Sequence, residues 1–345
     1  MIDNKASGIK HYTKWIFATE ILYALTLVGL SFVNYKEQLP VVMVLVVTAI
    51  LFSATQDIAS DAFAIKILDR KERGLGNSMQ SSGSFMGTLF GSGVLLMLYP
   101  IIGWRYIVLL LGIIVLVALI PVFINTRDAS KFVKIEPKRA GMRDILSFFI
   151  QKEAWKRSIL LAFFYSGLIG ILAMLKPMLV DYGFEMKHIG FMFGIYGTSF
   201  GAASAFLAGF LLKKLPRKSV LLIFSFLNLL VAPLFFVLTQ QNFSNFDVYL
   251  SMAVIWTCYG MSSVAIYTIS MDFAREGREG TDFTIQIVIT HLSGIIMAIV
   301  AGNVAEHFGY SNLFLVEIMF AMVALLSVQF LFEPRKKKEV LLVKD

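Results

Sequence analysis

The chain has 345 residues and a formal net charge of +8; 57% of its residues are hydrophobic and only 16% charged. Soluble domains carry about a quarter charged residues, and the apolar residues here come in blocks of about twenty or more, the length that crosses a hydrocarbon core. An ordinary soluble domain is therefore excluded. So is a β-barrel, whose strands alternate apolar and polar residues over short runs. The expected class is all-α, a polytopic membrane protein.

The chain opens on the polar, basic stretch MIDNKASGIKHYTK and shows no cleavable signal-peptide pattern. Ten spanning segments follow, at 14–34, 39–65, 76–98, 103–124, 157–180, 188–212, 218–239, 247–271, 283–304 and 310–332. Glu20 lies in the first. Asp57 and Asp61 lie in the second, one turn apart on a shared face. The third carries Gln80, Ser84, Gly87 and Gly91 at helical spacing. A 125–156 loop divides the chain into residues 1–124 and 157–345, and its Met142–Gln151 run reads as a short amphipathic helix or a plain linker. In the second half, Lys176 precedes Pro177, the single cysteine Cys258 sits in an apolar segment and makes no intrachain disulfide, and His291 lies beside Gln286, Thr290 and Ser293.

Basic residues explain the positive charge as topology. They crowd every second connection: Lys5, Lys10 and Lys14; Lys66, Arg70, Lys71 and Arg73; the central loop; Lys213, Lys214, Arg217 and Lys218; Arg275 and Arg278; and Arg335 to Lys338. By the positive-inside rule these face the cytoplasm, with both termini there. No nucleic-acid partner is needed to account for the charge.

An internal repeat spans the halves. Gly74 matches Gly280, Gln80 matches Gln286, and Gly103-Trp104 resembles Gly309-Tyr310, each 206 residues apart. Four helices before the central loop overlie the last four. Segments 157–180 and 188–212 then have no partners, so a six-plus-six architecture lacking its first two helices is expected.

The stretches SATQDIASDAFAIKIL, ERGLGNSMQSSGSFMGTLFGSG, GWRYIVLL and GTDFTIQIVITHLSGIIMAIVAGNVAEHFGY resemble the AmpG-like muropeptide permeases, which belong with the acetyl-CoA transporters in one branch of the major facilitator superfamily. The resemblance covers essentially the whole chain. It implies a secondary transporter working by alternating access in the bacterial inner membrane, with proton-coupled uptake of a bulky solute such as a muropeptide. The family's loop signature has a degraded copy here, Gly209 followed by Lys213, Lys214, Pro216, Arg217 and Lys218, with lysine at the usual acid and proline at the usual glycine. The first-half copy would lie mostly before Met1, and that expected loss puts gating in question.

Ionisable groups inside the membrane are costly and so mark function. Asp57, Asp61, Glu20 and His291 are the candidates for proton coupling, since a carboxylate that is neutral in lipid and charged when wetted suits a proton carrier. Asp61 has a duller reading, an ion pair with Lys66 or Arg73. His291 has one as a packing residue. Candidates for solute binding are Gln80, Ser84, Lys176, Gln286, Thr290 and Tyr267. Lys176 either meets an anionic group or snorkels to the interface. Trp256 and Tyr259 join Tyr267 as a wall for a sugar ring or as packing. Gly87 and Gly91 read as close-approach positions between helices, and Asp272 as an end-of-helix partner of Arg275.

Histidine and cysteine do not cluster at metal-ligand spacing, and GLGNSMQSSG lacks the lysine and strand of a phosphate loop. No metal, cofactor or enzymatic activity is expected. The expected partners are a small-molecule solute, protons and the lipid bilayer, around a monomer. A membrane-embedded acyl- or lipid-processing enzyme and an inactive transporter fragment are the competing readings.

Overall fold

The computed structural model describes residues 9–125, 142–151, 153–240 and 244–333. The basic N-terminal Lys5, most of the 125–156 loop with Pro137, and the Arg335–Lys338 cluster lie outside the described residues. Among the described residues the structure is helical without strands.

Helix α1 (Ile9–Ser31) leads to α2 (Leu39–Ile67), which opens on Pro40, where a missing N–H leaves nothing unpaired. Helix α3 (Arg73–Thr88) continues through a π-helical turn at Leu89–Val94 into α4 (Leu95–Asn125). The amphipathic α5 (Met142–Phe149) follows within the run the sequence marks for it. Helix α6 (Ala154–Phe163) and α7 (Ser166–Asp181) come next, then α8 (Met186–Phe191), a second π-helical turn at Met192–Gly197, and α9 (Thr198–Lys214). The chain closes with α10 (Arg217–Gln240), α11 (Asn245–Phe273) and α12 (Glu279–Leu331). A capping box between Ser244 and Asp247 starts α11.

Straight, the 53 residues of α12 would run about 80 Å, more than twice a bilayer core. Gly309 breaks it, at φ 81° and ψ 168°, and Gly103 breaks α4 at φ 76° and ψ 171°. Only glycine occupies that region without strain, so each glycine turns one helix arm into the next with no intervening loop. The two glycines are 206 residues apart. The same interval separates Leu39 from Asn245, Ile67 from Phe273, and Arg73 from Glu279, which are the ends of α2 and α11 and the starts of α3 and α12. The repeat seen as scattered identities is thus a repeat of helix boundaries.

Among the described residues, eight helical runs are long and apolar enough to cross a membrane by length and composition. The sequence reading of ten counts both arms of α12 and the polar-faced run from Arg73, which the apolarity criterion passes over.

Helices α1, α2 and α4 share small apolar clusters, one around Tyr12, Ile16, Ala59 and Leu119, another around Leu27, Val42 and Val108. The second half packs two larger ones, around Leu168, Ile171, Met252 and Phe314 and around Leu161, Phe164, Phe224 and Val264. Repeat partners differ in cover: 61% of the apolar window of α11 is buried against 11% for α2. Helix α11 has α9 and α10 as neighbours, and α9 has no counterpart in the first half.

Candidate functional site

The two halves meet chiefly along α3, which lies against α9 and α11. Small residues set the distance. A Cβ at Gly74 would strike the Leu212 side chain, one at Gly209 would strike Ser78, and one at Gly201 would press on the Phe85 ring at 3.0 Å. Ser82 donates to the Ala202 carbonyl at 2.9 Å, and Asn77, fully buried, donates to the Arg73 carbonyl at 2.8 Å and to Thr268 at 3.4 Å. Gly87 and Gly91, read as close-approach positions, are exposed, and a Cβ added at either would meet nothing within 4 Å. The close approach belongs to the stripe one face over, because Ser78, Phe85 and Gly74 point at α9.

The basic end of this seam is bolted by one carboxylate. Asp272, 3% exposed at the end of α11, meets Arg217 Nε at 3.0 Å, Arg73 Nη1 at 3.3 Å and Arg70 Nε at 3.5 Å. The guanidinium groups are themselves held: Arg217 donates to the Leu212 and Arg70 carbonyls, each at 2.6 Å, and Arg73 donates to the Met271 carbonyl at 2.8 Å. The expected Asp272–Arg275 pair does not form. Arg275 instead grips fully buried Asp282 from two nitrogens, at 2.6 and 2.7 Å, and donates to Ser147 on α5 at 2.9 Å. Asp272 is taken instead by Arg70 and Arg73 of the other half and by Arg217 of its own.

Three of the four carboxylate and histidine candidates gather on the first half. Asp57, exposed on α2, lines a cavity of about 380 Å³ with Tyr23, Leu27 and Ser53, and Glu20 lies within its electrostatic reach. Asp61 accepts a hydrogen bond from Gln80 Nε2 at 2.9 Å. It pairs with neither Lys66 nor Arg73: the Lys66 ammonium sits 4.9 Å from the Tyr12 ring centroid, and Arg73 is committed to the seam. Tyr267 lies within electrostatic reach of Asp61 from the other half, and is its counterpart 206 residues on. His291 is exposed on α12 and stands apart from these carboxylates on the second half.

The solute-binding candidates do not form one site. Lys176, exposed on α7, stands 4.9 Å from the Phe193 ring centroid in a cavity of about 320 Å³ shared with Ile169, Leu172, Trp256 and Tyr259. Phe85 packs edge-on against both Trp256 and Tyr259, with ring centroids 6.1 and 5.9 Å away. Trp256 and Tyr259 thus line a cavity, while Tyr267 stacks on Phe283 instead. Gln286, fully buried, donates to the Ser270 and Asp282 carbonyls at 3.0 Å and lines a different cavity, of about 450 Å³, at the basic end beside Arg157 and Arg275. Thr290 donates to the Gln286 carbonyl, and Ser293 to that of Ala162. Ser84 is exposed on α3 and its carbonyl accepts from Thr88.

Sequence reasoning missed Arg217 as a seam residue, Phe193 as a cavity wall, and Glu317. The last is fully buried in α12, in the apolar run LFLVEIMFAMV. The rule that marks Asp57, an acid where lipid should be, marks Glu317 equally.

Two sets of helices repeated at a fixed interval, closed on each other along one seam and bolted at one end, have the architecture of the parallel-repeat class of membrane proteins. The chain belongs to the Major Facilitator Superfamily, whose model matches residues 10–296. It is 24% identical over 319 residues to the anhydromuropeptide permease of Escherichia coli (strain K12), an alignment covering 90% of this chain and 64% of that protein. The chain therefore spans just under two thirds of that relative's length. Among solved structures, a bacterial homologue of the iron transporter ferroportin in its outward-facing state matches with a TM-score of 0.67 at 15% identity, over 96% of this chain and 84% of that one. The transporter FucP in its outward conformation matches with a TM-score of 0.67 at 14% identity, over 93% and 83%. At such identities these two speak for the fold alone.

Proposed function

We propose that the chain is a secondary active transporter working by alternating access, taking up a bulky organic solute such as a muropeptide with protons across the bacterial inner membrane. Residues 1–124 and 157–345 are the two rocking bodies, tethered by 125–156, with both termini cytoplasmic. The observation that carries this reading is the Asp272 bolt: Arg70 and Arg73 of one half reach the carboxylate of the other and close one end of the seam. Such a contact can be made and broken by rigid rotation of one body against the other.

Solute binding is assigned to the cavity of Lys176, Phe193, Trp256 and Tyr259. Aromatic faces suit the apolar side of a sugar ring, and a lysine suits a carboxylate on the attached peptide. The volume, about 320 Å³, is at the low end for ligand sites, so it accommodates a part of a muropeptide in this state. Proton coupling is assigned to Asp57 and Asp61 with Glu20. Gln80 holds Asp61 in place, and Asp57 is open to its cavity.

Uptake of radiolabelled anhydromuropeptide into membrane vesicles carrying the chain is the test. Accumulation that rises when the outside is made acidic, and that falls in Asp57→Asn, is expected. Accumulation equal to that of vesicles without the chain refutes the reading.

A further inference from the structure

Glu317 is fully buried, and neither carboxylate oxygen has a hydrogen-bond partner among the described residues. Its head lies against α7. A Cβ at Gly170 would collide with Glu317 Oε1, and one at Gly167 would stand 3.1 Å from the Glu317 carbonyl. The two glycines let α12 approach closely and leave room for the carboxyl group, yet an intact helix wall offers it no donor. A bare charge with neither water nor partner is among the least tolerable groups in an interior. The neutral acid is the species this pocket accepts.

No nearby cation changes that. On α7, Lys176 lies over Phe193, and Asp181 accepts from Tyr310. On α6, Lys156 pairs with Glu333 and Glu153, and Arg157 donates to Gln151. On α10, Arg217 belongs to the Asp272 bolt and Lys218 donates to the Gln329 carbonyl at the basic end. On α12 itself, Glu306 and His307 flank the Gly309 turn, Glu279 and Asp282 begin the other arm, and His291 is exposed on it. Tyr165, between α6 and α7, has its ring edge-on to Tyr259.

Helix α7 also carries the proposed solute cavity. Ile169, Leu172, Ala173 and Lys176 line that cavity. At 3.6 residues per turn, these positions fall on the side of α7 opposite Gly167 and Gly170. One short helix therefore has the solute on one face and the buried acid on the other. Tyr165, at φ −132° and ψ 20°, breaks the helical path between α6 and α7, and Pro177 lies inside the far turn of α7.

We propose that Glu317 is a proton-binding site, protonated in this state and deprotonated when solute draws α7 away from α12 and admits water. The coupling half of this rests on the proton-driven transport proposed above; the protonation half does not.

Infrared spectra of the purified full-length chain in liposomes test the protonation directly. At neutral pH a carboxylic-acid C=O band is expected that Glu317→Gln lacks and Glu317→Asp shifts. The same band in parent and Glu317→Gln overturns the proposal, and the Asp variant gives the readout if the Gln variant does not fold. Vesicle uptake of labelled anhydromuropeptide then compares rates with and without an acid-outside gradient. In Glu317→Gln that ratio is expected to fall to unity; a ratio matching the parent's overturns the coupling role. A parent that shows no gradient response, yet whose acid band is lost in Glu317→Gln, refutes proton-driven transport while establishing Glu317 as the proton's site.

Discussion

Asp272→Asn tests the bolt. The substitution keeps the shape of the side chain and its hydrogen-bonding oxygen but removes the charge that Arg70, Arg73 and Arg217 share. Asp272 is 3% exposed and its cross-seam partner Arg73 17%, so solvent screens that pair only in part; Arg217 shares a half with Asp272 and stays with it when the seam opens. Breaking a buried charge pair by removing one partner costs about 3–5 kcal/mol. The lower figure suits a seam that floods when it opens. At 1.4 kcal/mol per decade, about 3 kcal/mol moves an equilibrium roughly 100-fold toward the state open at the basic end. Three guanidinium groups left facing one another push the same way. The assay places spin labels at exposed Lys71 and Lys214, on opposite sides of the seam, by Lys71→Cys and Lys214→Cys in a Cys258→Ser background. Pulsed electron-spin distances are expected to lengthen and broaden in Asp272→Asn, and Asp272→Glu to restore much of the short population. A distance distribution in Asp272→Asn that matches the parent's refutes the claim that this carboxylate holds the end shut.

Other perturbations follow from the same contacts. Gly209→Ala drives a methyl into Ser78 and toward the Gly74 carbonyl; overpacking of about 1–3 kcal/mol is expected to lower the thermal midpoint of the detergent-solubilised chain and to lengthen the Lys71–Lys214 distance. Asp282→Ala strands Arg275 against a fully buried site, and a loss of about 3–5 kcal/mol is expected as a sharp fall in midpoint, with Asp282→Glu much milder. Gln80→Ala and Asp61→Ala, combined in a double-mutant cycle on unfolding midpoints, are expected to couple by about 1 kcal/mol; strict additivity would mean the 2.9 Å contact contributes nothing. Lys176→Met is expected to raise the KM for an anionic solute by about tenfold, about 1.4 kcal/mol, while leaving that for an uncharged analogue in place.

What could be read from sequence depended on range. Matched residues announce themselves locally, so Gly74 with Gly280, Gln80 with Gln286 and Gly103 with Gly309 gave the repeat interval, while the turning role of the last pair emerged only with their backbone angles. Membrane spans are announced by length and composition, and the exception proves the physics: the run from Arg73 is polar along the face it lays on α9, so an apolarity threshold passes over it. Asp57 and Asp61 were legible because charge inside lipid is costly wherever it occurs. Partner choice was not legible. Asp272 is three residues from Arg275, and nothing local says that Arg217, 55 positions away, will claim it instead. Nor does spacing reveal that Gln80 faces Asp61 while its repeat mate Gln286 turns to the Ser270 carbonyl, because that depends on which groups each meets inside its own half.

The repeat itself explains how such a seam becomes attractive. Two identical halves related by a two-fold axis place each residue near its own copy beside the axis, where like charges repel. Here the two loops at the basic end have kept their spacing and inverted their signs. At the 206-residue interval Lys66 stands against Asp272, Asp69 against Arg275, Arg70 against Glu276, Glu72 against Arg278, and Arg73 against Glu279. Where one half's loop offers a base, the other's offers an acid. The bolt is the outcome at one of these positions: Asp272, whose counterpart is a lysine, receives Arg70 and Arg73 from across the seam. Helix ends and turn glycines, which set the geometry, have to stay matched for the halves to fit. Charges have to diverge for them to hold, and a contact between opposite charges at a surface that water can reach is one that can close without closing for good.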